Sequence, residues 1–168
     1  MGKTDRSVVR NQAYRKSEFS IWERHNERLN ESYYNSDIRQ DRQQFNVYFR
    51  HCGGGYAETF EKMLADGTVS MKNLKKDGSA KVFDELVYDV NTEYFDHNGG
   101  YDYAKSFFEE AYRSAANEIG GVQYILSAVM HADERNKALS EQLGRDVFLY
   151  QPHIVYLPYA NRRRDRVG

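Results

Sequence analysis

Histidine, carboxylate and amide side chains gather at two places in this sequence. One is His25-Asn26-Glu27-Arg28. The other is His131-Ala132-Asp133-Glu134 taken together with Gln151-Pro152-His153. His131 closes a strongly apolar run, and Glu134 lies in the turn that leaves it. Gln151 and His153 are two apart in a strand-like segment, so they share a face. If the two strands are neighbours, His131, His153 and Gln151 converge, and an imidazole pair near a carboxylate is divalent-metal chemistry. Histidines so far apart are more often packing or surface residues, and Asp133 with Glu134 reads alone as an exposed turn. Spacing therefore leaves both readings open. His25 stands between polar residues, as on a solvated helix, although imidazole also serves as a nucleophile or proton shuttle.

The elements that must position these residues are legible from periodicity. Residues 1–17 are polar and aperiodic and read as a basic N-terminal arm. Phe19, Ile21 and Trp22 form the first apolar cluster, with helical character just after it. Phe45, Val47 and Phe49 alternate with polar neighbours, the period of a half-buried strand. Tyr56, Phe60, Met63 and Leu64 trace one face of a helix ending near Gly67, and FDELVYDV (83–90) reads as a strand. Asn98-Gly99-Gly100 opens the clearest helix, with an apolar face from Ala104 to Ala115, and Gly120-Gly121 ends it. Residues 122–130 are apolar on both faces, as in a central strand covered on both sides. A short helix before Gly144 precedes a last strand over 147–157, which Pro152 demotes to an edge or a bulge. Strands separated by helices of ordinary length give an α+β layered sheet.

Composition sets bounds. The 168 residues suit one domain, and the 14 tyrosines and ample apolar content are those of a globular chain. The net charge of −1 disfavours a binder that relies on a wholly basic surface, but not one with a basic groove. Cations concentrate in the first 50 residues and in a basic tail, 160–168, while 58–118 carry most of the acids. Cys52 is the only cysteine, so no intramolecular disulfide is needed. No apolar run reaches membrane-spanning length, and the basic start lacks an apolar signal core, so a cytoplasmic location is the expectation. His51-Cys52-Gly53-Gly54-Gly55 lacks the Lys-Ser/Thr of a phosphate loop.

Taken together, the segments SEFSIWERHNERLNE (17–31), DRQQFNVYF (41–49), FDELVYDVNTEYF (83–95), YILSAVMHADERNKALSEQLGRDVF (124–148) and HIVYLP (153–158) resemble the Mob/Pre family of plasmid mobilization and recombination proteins. The similarity runs from about Lys3 to Tyr159, in order and in register. It implies a relaxase domain over 18–159 of the HUH-like class, with a five-stranded antiparallel β-sheet flanked by helices. It implies an enzyme that binds single-stranded and hairpin DNA at an origin of transfer, with no small-molecule substrate, and nicks and rejoins one strand. The nucleophile that the resemblance implies is the histidine of HNER, His25, and the implied product is a phosphoramidate to the 5′ phosphate. A divalent ion, Mn²⁺ or Mg²⁺, is implied on His131, His153 and Gln151, with Glu134 as a further ligand, an orienting group or a proton acceptor. Arg24, Arg28 and Asn46 are the implied DNA contacts.

The chain departs from the family pattern at several points. Gln151 stands where the family has the first histidine of a His-x-His pair, Pro152 sits beside it, and Gln44 stands where relatives often carry histidine. Relatives continue into a helical C-terminal region associated with dimer and membrane contacts. The alternative reading is a catalytically impaired DNA-binding remnant of such a relaxase.

Overall fold

The computed structural model describes residues 6–72 and 74–158. In chain order the elements are β1 (Ser7–Arg15), α1 (Phe19–Asn26), β2 (Val47–Arg50), α2 (Tyr56–Ala65), β3 (Lys81–Val90), α3 (Thr92–His97), α4 (Gly100–Ile119), β4 (Ile125–His131), α5 (Lys137–Leu143) and β5 (Gln151–Tyr156). The five strands form one sheet in the order β1-β3-β5-β4-β2. Every neighbouring pair is antiparallel.

Alternation along the strands sorts the core into two layers. On one face Phe83 of β3 and Val155 of β5 pack with Phe19 of α1 and Tyr56 and Phe60 of α2. On the other face Ala128 and Ile154 meet Ala115, Ala116 and Ile119 of α4. Phe95 of α3 and Phe108 of α4 close that layer against Met130. All seven residues of β4 are buried, as its two-sided apolar pattern requires. Helix α4 stops where expected: Gly120 adopts φ 110°, and the amides of Gly120 and Gly121 both return to the Ala116 carbonyl.

Three expectations are corrected. The segment read as an N-terminal arm contributes β1, which pairs with β3 along its whole length from Ser7↔Val90 to Arg15↔Lys81. Its polar character has a physical cause: β1 is an edge strand, largely exposed, so few of its side chains need be apolar. β5 is the central strand, neither an edge nor a bulge. Pro152 is tolerated because the β3 ladder runs only from Asp84↔Tyr156 to Val87↔His153, leaving Pro152 beyond the last paired residue on that side. The strands around the site are also shorter than their apolar runs. Residues 122–124 form a 3-10 turn ahead of β4, and 147–150 precede β5. The tail, 160–168, lies outside the described residues.

Candidate nucleic-acid-cleaving site

Three histidines meet over the sheet. His25 comes from the last turn of α1, His131 from the end of β4 and His153 from β5. The His131 and His153 rings are 4.7 Å apart between centroids, and His25 lies 6.3 Å from each. The register explains the convergence. His131 is directly opposite Gln151, and His153 is opposite Val129, so one face of two adjacent strands carries His131, His153 and Gln151, and α1 brings His25 to them.

The tautomers follow from the partners. His131 Nε2 is 2.8 Å from the Asn26 carbonyl oxygen, which can only accept, so Nε2 carries the proton and Nδ1 keeps its lone pair. His153 Nδ1 faces Glu85 Oε1 at 3.5 Å, which favours the proton there and leaves the Nε2 lone pair. That contact is too long for a hydrogen bond, and His153 Nδ1 and Asn26 Oδ1 are buried polar atoms without one among the described residues. Burial, then the charges of His153 and Arg28, holds His131 neutral well below the ordinary imidazole range. Burial followed by the Arg28 charge also lowers His25.

Glu85 is the acid that the sequence reading missed. It is buried, and its Oε2 accepts from Asn26 Nδ2 at 2.6 Å. Burial works against its charge, but contact with His153 and the Asn26 bond more than offset this and hold its carboxyl below the usual range. The only signal in the sequence is an acid at a core-facing position between Phe83 and Val87.

Several expected site residues have other employment. Arg28 was expected to meet phosphate. Its guanidinium instead makes a buried bidentate pair with Asp133, Nε to Oδ2 and Nη2 to Oδ1, both 2.8 Å, and its Nη1 donates to the His25 carbonyl. Asp133, read as part of an exposed turn, is fully buried. Asn46 is equally occupied: Nδ2 donates to Asp133 and Oδ1 accepts from the Ala132 amide. The Glu134 carboxylate accepts from Asn35 Nδ2, on the loop after α1, so it is turned to that loop and not to the histidines. Arg24 is exposed on α1, with Nε donating to Asn30. Gln151 is half-buried and lines a cleft of about 540 Å³ together with His153, Glu85, Arg10 and Trp22. Its Nε2 donates to Asp89.

Among the described residues no three His, Cys, Asp or Glu side chains are grouped to hold a metal ion. His131 and His153 each present a ring nitrogen, and Gln151, opposite His131 in the ladder, adds an amide oxygen on the same face, so these three are the donors that fit such an ion. No helix among the described residues is long and apolar enough to cross a membrane.

Comparison with known proteins gives the class of protein to which this five-stranded antiparallel sheet and its three histidines belong. The family model described as plasmid recombination enzyme, Mob/Pre, matches residues 3–164. The chain belongs to this family. The fold is that of Mn-bound crystal structures of the MobM relaxase domain with plasmid pMV158 oriT DNA. One, with a 22-nucleotide DNA carrying a 3′ thiophosphate, is 22% identical with a TM-score of 0.68, over 90% of this chain and 69% of that chain. Another, with a 23-nucleotide DNA, is 22% identical with a TM-score of 0.67, over 91% of this chain and 69% of that chain. No curated protein matches the chain significantly.

Proposed function

We propose that this protein is a relaxase that nicks and rejoins one strand of plasmid DNA at an origin of transfer, with His25 as nucleophile. The observation that carries the reading is the placement of His25 6.3 Å from both His131 and His153. A neutral imidazole is a competent nucleophile near pH 7, and the half-buried setting of His25 beside Arg28 favours its neutral form. Its ring nitrogen forms a bond to phosphorus as the bond to the 3′ oxygen breaks, and that oxygen takes up a proton. The reverse displacement by the 3′ hydroxyl restores the strand without ATP, because the phosphoramidate conserves the bond energy.

His131, His153 and Gln151 would hold a divalent ion, Mn²⁺ or Mg²⁺, whose charge on the non-bridging oxygens makes the phosphate a better electrophile. Glu85 orients His153, and Arg28 fixes the His25 backbone from within the protein. Exposed Arg24 is the DNA contact retained from the expected set. The substrate of this reading is a hairpin and its adjoining single strand, met in the cytoplasm. Manganese in the similar crystal structures supports the ion, and their origin DNA supports the substrate.

The test is incubation with labelled single-stranded origin DNA and Mn²⁺, followed by denaturing electrophoresis. A covalent adduct is expected from the parent and none from His25→Ala. Tight binding without an adduct from the parent selects the impaired remnant. An adduct that survives in His25→Ala moves the nucleophile elsewhere, with Tyr33 and Tyr34 the next candidates.

A further inference from the structure

We infer that Asp89, held by Arg10, is the positioning residue that decides which end of the Gln151 amide faces the histidine pair. The inference rests on the metal reading above. A side-chain amide has a donor end and an acceptor end that exchange on a half-turn. Only the oxygen can ligate a cation, and the NH₂ group would oppose one. A glutamine at a metal position is therefore useful only if its orientation is fixed.

The sheet supplies that fixing. Val87 pairs with His153, so Asp89 and Gln151 are opposite each other when the antiparallel register is continued by two residues. On the other side Gln151 pairs with His131. Asp89, Gln151 and His131 thus stand in one row across three strands. The Gln151 Nε2 group donates to Asp89 Oδ1. A carboxylate only accepts, so it rejects the flipped amide, whose oxygen would face it. Arg10 of β1 pairs with Asp89 through the other oxygen, Nη2 to Oδ2, at 2.7 Å, which leaves Oδ1 directed at β5. With its nitrogen committed to Asp89, Gln151 has its oxygen left for the histidine side of the row.

Calorimetric titration of Mn²⁺ into the full chain tests the inference, using the parent, Asp89→Ala, Gln151→Ala and the double variant. Each single change is expected to weaken Mn²⁺ binding by roughly 10-fold or more, and the double to be no weaker than Gln151→Ala alone. Asp89→Asn, whose amide can donate as well as accept and so tolerates either orientation of Gln151, is expected to weaken binding as Asp89→Ala does. In the metal-free protein the side-chain amide resonances of Gln151 are expected to move in Asp89→Ala. Unmoved resonances, an unchanged affinity in Asp89→Ala beside a weakened Gln151→Ala, or fully additive losses would each overturn it. A parent that binds no Mn²⁺, or a Gln151→Ala variant that binds like the parent, instead defeats the underlying metal reading, and the inference with it.

Discussion

Glu85 and His153 face each other diagonally across β3 and β5, carboxylate oxygen to ring nitrogen at 3.5 Å, both buried. The same carboxylate holds Asn26, the residue after His25. One buried acid thus ties the helix that carries His25 to the strand that carries His153. Glu85→Ala leaves the Asn26 amide without its acceptor, and an unsatisfied buried group costs about 1–3 kcal/mol. A drop of that size in urea-unfolding free energy is expected, together with weaker Mn²⁺ binding. An unchanged unfolding midpoint would remove Glu85 from this role.

The Arg28–Asp133 pair makes a second prediction. Arg28 is the one described non-glycine residue with positive φ, 53°, at the end of α1 where glycine would be favoured. The bidentate bond holds it in that conformation. Arg28→Ala should lower stability by about 3–5 kcal/mol, because Asp133 is left buried and unpaired. Lysine should not rescue it, since a point charge cannot replace the planar fork. Denaturant unfolding measures both. If Arg28→Ala instead keeps its stability and only flattens the salt dependence of DNA binding, Arg28 is a phosphate contact after all.

Stability of the metal-free protein should fall on mild acidification. Both His131 and His25 have folded-state pKa values below the ordinary 6.5, mainly through burial. Between the folded value and 6.5 the unfolded chain binds more protons, so stability is present above that window and declines as pH drops into it. The depressed carboxyl of Glu85 adds a further loss at lower pH. Urea midpoints measured in chelator from about pH 7.5 to 5.5 check the slope. His131→Gln should flatten it, and an equal slope in that variant would show that the ring titrates normally.

Replacing the amide at position 151 gives a fourth test. Gln151→His replaces an amide oxygen by an imidazole nitrogen, which Mn²⁺ binds better. Calorimetry should show tighter binding than the parent. Equal affinity would place Gln151 outside the donors.

Much of this was readable from the chain, and the exceptions share a cause. The two-sided apolar run of β4 and the glycines bounding α4 are local signals, and they match the structure. β1 was missed because an edge strand need not be apolar. Pro152 misled because its cost depends on where the neighbouring ladder stops, which is set by β3. Asp133 and Glu134 look alike in sequence, yet one is buried on Arg28 and the other turned to Asn35. Only its place on the Phe83–Val87 face separates Glu85 from Asp84, and nothing local separates it from Asp89 on that face. The histidines were named because their chemistry is rare. Their partners were not, because partner choice is a property of register.

The sheet order also fixes the sequence in which the molecule can be made. β5 is the last of the five strands to leave the ribosome, yet it lies in the middle, between the β1-β3 and β4-β2 pairs. Until it inserts, the two hairpin-like halves have no ladder joining them, and the sequence-distant contacts that it brings are the slow ones to form. Gln151 and His153 ride on that strand. His25 is therefore synthesised early, but its histidine neighbourhood is complete only once the sheet has been closed, so a nascent chain stalled before residue 151 holds His25 and His131 without His153.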